Sequence, residues 1–279
     1  MIKRILILGA KGQIGSGFQR ILKNPTADYK TYFIDSSKLD YNKMSDMEIP
    51  FKNIKPDIVI NCVAYTNVDG AELPENRELC RYLNVEFPCM IAAFCKKYGA
   101  EFIHFSTDYV YNGIPQKVYT ELDDAAPLNY YGKTKLRADK ILRIFDKVKI
   151  FRVQAVYSPH NSNFYKAIDS LCNVKPYINV VADQLTCPTH AYWIADMVYK
   201  TLDEPAYGLF HLKPNGNCSF ADFAELISDG RAVINRVTTE QYGSRTKRPK
   251  NANLSNEKFK CTFGRINLDW KQVYQKYKS

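Results

Sequence analysis

The chain has 279 residues, enough for one large domain or two modest ones. Hydrophobic residues make up 46%, which supplies a buried core and excludes a chain too polar to fold. The formal net charge of +10 is scattered, with Lys247-Arg248-Pro249-Lys250 the densest cluster; this argues against a nucleic-acid-binding run and leaves solvated lysines or a basic cleft for a small anionic ligand.

The first half alternates short apolar runs with amphipathic segments. Lys3–Leu8 reads as a buried strand, Ile14–Leu22 as a helix, and Thr31–Ile34 as a second strand ending at Asp35. Asp57–Asn61 is a strand introduced by Lys55-Pro56, and Leu79–Tyr98 is mostly helical, with Pro88 marking a break or a helix start. Glu101–Phe105 is a strand, Leu128–Phe145 a helix, and Val148–Phe151 the strand after it. After Arg152 the pattern is less regular. Asn163–Leu171 and Ala191–Leu202 read as helices, Ile178–Val181 and Leu209–Leu212 as short strands, and Phe220–Ile227 as a helix capped by Ser219. Gly230–Pro249 is polar and reads as loop-rich.

Strands alternating with helices imply an α/β fold: a Rossmann-type doubly wound parallel sheet, covered on both faces. The expected division is a dinucleotide-binding domain over residues 1–153 and a smaller, discontinuous α/β substrate-binding region over 154–279, part of which returns to the first domain. No internal repeat or low-complexity linker is present. Only four strongly apolar residues precede Gly9, too few for a signal-peptide core, and no stretch approaches a transmembrane span. No membrane or nucleic-acid partner is expected. Eight cysteines without a C-x-x-C pair or a zinc-like histidine spacing suit reduced thiols, hence a cytoplasmic location and no metal centre from ligand spacing.

The first strand runs directly into Gly9-Ala10-Lys11-Gly12-Gln13-Ile14-Gly15, which opens a helix. Glycines there let the backbone turn tightly and approach a pyrophosphate, and the helix N-terminus supplies N–H groups and partial positive charge. Asp35, twenty residues after Gly15, is placed to accept from a ribose 2′-hydroxyl, whereas Lys11 and Lys38 are placed to meet a 2′-phosphate, so both NADH and NADPH fit. Asp40-Tyr41 reads equally as an adenine contact or a turn. Cys62 and Ala64 follow the third strand, where small residues let a cofactor pass close to the sheet. The expected cofactor-binding set is Gly9, Gly12, Gln13, Ile14, Asp35, Asp40, Tyr41, Cys62, Ala64 and Tyr65, joined by Tyr131 and Lys135.

Phe105-Ser106-Thr107-Asp108 closes a strand with polar residues at its carboxyl end, and twenty-four residues after Thr107 comes Tyr131-Gly132-Lys133-Thr134-Lys135. Residues i and i+4 share a helix face, so Tyr131 and Lys135 point together. A ketone receiving hydride becomes an alkoxide and must be protonated. A tyrosine of ordinary pKa is a weak acid, and a nearby ammonium is expected to lower it toward the working range, with Thr107 donating to the developing oxyanion.

Ordered matches across nearly the whole chain identify it as similar to the extended short-chain dehydrogenases, and within them to the dTDP-4-dehydrorhamnose reductase family. They include the loop at 9–15, Asn61–Glu72, Leu83-Asn84-Val85, Ser106–Tyr111, Pro127–Lys135, Phe151-Arg152, Asn163-Phe164, Val181–Gln184, Pro188-Thr189 and Arg248–Leu254. The resemblance implies hydride transfer from NADPH or NADH to the C4 ketone of a nucleotide-linked 6-deoxyhexulose. It implies Thr107, Tyr131 and Lys135 as the catalytic triad, Val68, Asp108 and Tyr109 along the sugar pocket, and Arg248 and Asn251 at the nucleotide. Two positions depart from the family pattern: Ala155 stands where the family has a tryptophan against the sugar, and Thr186 replaces a glycine in Asp183–Thr189. These put the particular sugar in question. A reductase of a different 4-keto sugar is a second reading. A non-catalytic regulator, similar to the methionine adenosyltransferase beta subunit, is a third. The sequence is compatible with a homodimer.

Overall fold

The computed structural model describes residues 2–23, 28–264 and 266–278. In chain order the first half contains β1 (Lys3–Leu8), α1 (Gln13–Leu22), β2 (Tyr29–Ile34), α2 (Ile49–Ile54), β3 (Ile58–Asn61), α3 (Pro74–Arg81), α4 (Phe87–Tyr98), β4 (Glu101–Thr107), α5 (Tyr130–Leu142) and β5 (Val148–Val153). The second contains β6 (Val156–Tyr157), α6 (Phe164–Cys172), β7 (Tyr177–Val181), β8 (Leu185–Thr186), β9 (Thr189–His190), α7 (Ala191–Tyr199), β10 (Gly208–His211), β11 (Cys218–Ser219), α8 (Phe220–Ser228), β12 (Val233–Val237), α9 (Thr239–Tyr242), α10 (Glu257–Phe263) and α11 (Trp270–Tyr277).

Six strands form one sheet in the order β10-β5-β4-β3-β1-β2, and every pair is parallel. The direction of strand succession reverses between β1 and β3. Open α/β sheets bind ligands at such a switch point, outside the carboxyl ends of the strands. Parallel strands must be covered on both faces, which is why β1, β3, β4 and β5 read as apolar runs. One face packs Phe18 and Leu22 of α1 against Trp193, Ile194 and Met197 of α7, with Phe259, Phe263 and Val273 beside them. The other packs Phe51, Phe87, Ile91, Ala138 and Leu142 from α2, α4 and α5. Thus β10 and α7, both late in the chain, belong to this layer. A third core joins Tyr157, Ile168, Val180, Phe223, Ile227, Trp270 and Tyr274 in the C-terminal region.

Some elements differ from the sequence expectation. The Leu79–Tyr98 helix starts earlier, at Pro74, and Pro88 marks both a break and a start: it is the second residue of α4, which follows α3 across a wide turn over Tyr82–Glu86 with i→i+5 bonding. Pro88 has no N–H for the Asn84 carbonyl and its ring would clash there, so the helix widens by one residue. The expected helix 128–145 is shorter because Asn129 caps it, its side chain accepting from the Gly132 N–H at 2.8 Å. The 230–249 stretch is not all loop. It contains β12, paired in parallel with β7, and the short α9; mostly exposed strand residues hid this pairing in a polar background.

Candidate active site

A cleft of about 630 Å³ opens at the switch point. Its floor is the glycine loop. Gly9 has φ +75°, and a Cβ there would lie 2.9 Å from the Cys62 carbonyl carbon and the Val63 nitrogen. A Cβ on Gly15 would lie 2.2 Å from the Gly9 oxygen, so only glycine lets α1 start this close to β1. The first turn of α1 has no side-chain cap and no acidic residue, and Gln13 and Ile14 face the cleft. Free N–H groups, a positive helix end and a backbone with no side chain in the way fit a pyrophosphate, so these residues suit a dinucleotide.

The expected cofactor residues divide into two groups. Gly12, Gln13, Ile14, Cys62, Ala64, Tyr131 and Lys135 line the cleft. Tyr41 does not. It is buried beneath the loop, its hydroxyl accepting from the Gly9 N–H and donating to the Ile34 carbonyl, both at 2.8 Å. It therefore props the glycine turn, and its hydrogen-bonding capacity is spent there. Asp40 accepts from the Asn42 N–H at 3.0 Å, the turn reading of that pair. Asp35 ends beside β2, hydrogen-bonded by the Ser37 hydroxyl and N–H and paired with Lys11 at 3.4 Å. The Ser37 bonds, then Lys11, hold its carboxyl below the ordinary range against the effect of burial. Tyr65 lies behind the lining residues, its N–H and C=O both bonded to the Asn84 side chain.

Thr107 closes β4, and its Oγ1 donates to Asp108 at 3.1 Å and accepts from the Tyr109 N–H at 3.2 Å. Helix α5 comes close to this strand end because of Gly132: a Cβ there would sit 2.2 Å from the Tyr109 oxygen. Tyr131 consequently meets Tyr109 edge-on, with ring centroids 6.1 Å apart. Burial pushes the Tyr131 phenol well above the ordinary tyrosine value, opposed by a hydrogen bond with Thr107. The expected lowering by Lys135 is not met in the protein alone. The lysine donates to the Phe105 carbonyl at 2.6 Å and meets His104 Nε2 at 3.1 Å, and burial lowers it to about 8.

On the far side, Val68, Asp108 and Tyr109 line the cleft, as does Arg248, whose Nη2 lies 2.8 Å from each Asp69 oxygen. Burial pushes Asp108 up to about 6, although Gln154 and Thr107 hydrogen-bond it. Asn251 is a correction. It is buried away from the cleft, with Nδ2 donating to the Ile114 and Lys117 carbonyls at 2.6 and 2.8 Å, so it ties down the 114–117 loop. Ala155 and Thr186 both face the cleft, and Ala155 sits at φ +35°, a strained left-handed conformation.

Several lining residues fall outside the expected site, although Asn163 and Phe164 belong to a matching segment. Phe164 and Phe220 form an aromatic wall with centroids 5.0 Å apart, and Asn161, Ser162 and Asn163 close over the glycine loop, Asn161 Nδ2 donating to the Lys11 carbonyl. Ser106 Oγ is buried at the cleft without a hydrogen-bond partner. Asn84, on the wide turn, also donates to Thr134 Oγ1 of α5 at 3.1 Å, so it joins the loop after β3 to the helix carrying Tyr131. Among the described residues no group of three or more His, Cys, Asp or Glu is placed to hold a metal ion.

A parallel sheet with this switch-point cleft, this glycine loop and the Thr107–Tyr131–Lys135 constellation defines a dinucleotide-binding protein of the extended short-chain dehydrogenase class. The chain belongs to the family described as "RmlD substrate binding domain", whose model matches residues 3–278. It is 34% identical to the dTDP-4-dehydrorhamnose reductase of Escherichia coli over 95% of this chain and 94% of that protein. It is 32% identical to a spore coat polysaccharide biosynthesis protein of Bacillus subtilis, over 90% and 89%. A crystal structure of a dTDP-4-dehydrorhamnose reductase ortholog from Clostridium acetobutylicum superposes with a TM-score of 0.92 at 34% identity, covering 98% of each chain. The Bacillus anthracis dTDP-4-dehydrorhamnose reductase in complex with NADP gives 0.92 at 29% identity, covering 99% of each.

Proposed function

We propose that the protein reduces the C4 ketone of a nucleotide-linked 4-dehydro-6-deoxyhexose with NADPH or NADH, and that the reaction is dTDP-4-dehydrorhamnose to dTDP-L-rhamnose. The observation that carries this reading is the convergence of Thr107, Tyr131 and Lys135 on a cleft whose other end is the uncapped N-terminus of α1. A bound reduced nicotinamide would supply the hydride. As the carbonyl oxygen gains charge it takes the phenolic proton of Tyr131; burial keeps that phenol protonated but also weakens it as an acid, which a charge beside the phenolate must offset. Thr107 donates to the same oxygen. Lys135 sits one turn along α5, where an ammonium would stabilise the phenolate left behind. Val68, Asp108 and Tyr109 border the sugar, and Arg248 is placed to exchange Asp69 for a phosphate oxygen. The names of the relatives in Escherichia coli, Clostridium acetobutylicum and Bacillus anthracis support the rhamnose substrate.

A different 4-keto sugar is favoured by one feature: Ala155 and Thr186 shape the wall where the family pattern has a tryptophan and a glycine. The eight free cysteines support a reducing, cytoplasmic location, and a homodimer is proposed as the working form. The test is incubation with NADPH or NADH and dTDP-4-dehydro-6-deoxy-L-mannose, following loss of the reduced nicotinamide. Turnover that falls by about 10²–10⁴-fold in Tyr131→Phe supports the reading. Tight cofactor binding with no turnover on any 4-keto nucleotide sugar replaces it with the regulatory-subunit reading.

A further inference from the structure

Behind the lysine assigned to the reaction lies a chain of buried polar groups. His104 on β4 is 1% exposed, and its Nε2 is 3.1 Å from Lys135 Nζ. Its Nδ1 is 3.2 Å from Asn61 Nδ2, and Phe102 stacks on the ring. Asn61 Oδ1 accepts the Val63 N–H at 3.0 Å, and Lys135 Nζ reaches the Phe105 carbonyl at 2.6 Å.

Donor counting sets the polarity of this chain. The Val63 amide can only donate, so the Asn61 atom it meets is the oxygen and the atom facing His104 is the NH₂. That NH₂ can only donate, so His104 Nδ1 accepts and the ring proton sits on Nε2, facing Lys135. A neutral amine has a lone pair to receive it and still gives an N–H to Phe105. An ammonium has no lone pair. A proton on Lys135 therefore drives the imidazole to the Nδ1–H tautomer, whose proton meets the Asn61 NH₂. Turning the Asn61 amide over moves the same conflict to the Val63 N–H. Either way one buried hydrogen bond is lost.

We propose that His104 is a positioning residue: anchored by Asn61, it donates a hydrogen bond to Lys135 and stabilises that lysine as a neutral amine. The inference rests on the role given to Lys135 above: the ammonium that role needs still prevails below about pH 8, and His104 limits how far above that value it persists. Burial acts in the same direction, lowering the lysine to about 8. Burial, then the charge of Lys135, holds the imidazole well below its ordinary value, so His104 itself stays neutral. Two groups act against the neutral amine: Asp139, one turn further along α5 and itself 3.0 Å from Arg152 of β5, and Cys80 of α3.

The test uses the full chain without cofactor, labelled with ¹⁵N-histidine. The chain has four histidines, so long-range proton–nitrogen spectra are sparse, and His104 is assigned as the signal missing from His104→Gln. At pH alkaline to the Lys135 midpoint the Nε2–H pattern is expected. As pH falls through about 8, both His104 nitrogens should shift with the lysine's midpoint while the ring stays uncharged. An Nδ1–H pattern at alkaline pH, or nitrogens that ignore the lysine titration, overturns the proposal. In kinetics, the kcat limb belonging to Lys135 should move up by about one pH unit in His104→Phe, with little change in KM, and return toward wild type in His104→Gln, whose amide N–H can donate to the amine. An unmoved limb in His104→Phe also overturns it. If His104→Phe does not fold, the wild-type spectra decide. A protein inactive on every keto-sugar would defeat the proposed reaction, whereas the spectra would still decide the role of His104.

Discussion

The six-stranded sheet and the region built mostly from residues after Val153 satisfy their backbones in different ways. In the sheet, strands of four to seven residues exchange parallel ladders and, apart from the edge strand β2, are mostly buried. In the later region β6, β8, β9 and β11 have two residues each, and single side chains do much of the tying. Asn251 holds the Ile114 and Lys117 carbonyls, Asn256 Nδ2 donates to the Lys213 carbonyl at 3.0 Å, and Lys213 Nζ to that of Gly216 at 2.9 Å. Gln154 reaches both Asp108 and the Ala252 carbonyl. The difference teaches where damage should fall. In the sheet it should follow buried packing and buried charge; in the later region it should follow individual polar residues. The cleft lies between, its floor supplied by the first and much of its wall by the second.

The largest effect should come from the buried pair of the sheet. Arg152 is 3% exposed and lies 3.0 Å from Asp139 on α5. Asp139→Ala strands that guanidinium in the core, so denaturant unfolding should show a loss of about 3–5 kcal/mol. A loss within the range of a surface substitution would break the contrast. Next comes Asp108, at the seam. Its folded value is raised from 3.8 to about 6 by burial, so the folded state holds the proton more tightly than the unfolded chain. This contribution is present at acid pH and lost as pH rises through about 6. Asp108→Asn should therefore gain stability relative to wild type between about pH 4 and about pH 6, by up to about 3 kcal/mol, with a flat difference above. A difference unchanged across that window would show that burial does not burden this carboxylate.

Smaller again is Asn251→Ala, which frees two buried carbonyls and should cost about 1–2 kcal/mol, with faster amide exchange confined to the 114–117 loop and its contacts. Exchange that rises across the whole sheet instead would mean the two regions are not separable in this way. The smallest effect is expected from Arg236→Ala. Its guanidinium meets Asp222 and Glu225 at 2.8 Å in an exposed position, and its removal should change stability by no more than about 1 kcal/mol.

The parts legible in the sequence are those whose physics is local. A strand, a glycine turn and a helix start are contiguous in residues 3–22, so Gly9, Gly12 and Gly15 announced the floor of the cleft. Tyr131 and Lys135 share a face by helix geometry alone, and the apolar runs of β1, β3, β4 and β5 required a covered sheet. His104 carries a signal of its own: a histidine inside the apolar run Phe102–Phe105 must find buried partners. The wall had weaker signals. Phe164 and Phe220 are ordinary helix residues until α6 and α8 are brought together, and the exposed residues of β12 resemble a loop until β7 pairs with it.

By itself, then, the sequence determined the class of fold, the glycine turn and the spacing of the tyrosine–lysine pair, because the 3.6-residue helix period and short apolar strand runs act over short stretches. Tertiary structure alone decided what the side chains do with their remaining hydrogen bonds. It turned Asn251 inward to a loop, placed Tyr41 under Gly9 rather than beside a ligand, set Arg248 on Asp69 across 179 positions, and put His104 behind Lys135. Polar groups pair with whatever partner the packed chain brings within about 3 Å, and no periodicity in the sequence encodes which one that is.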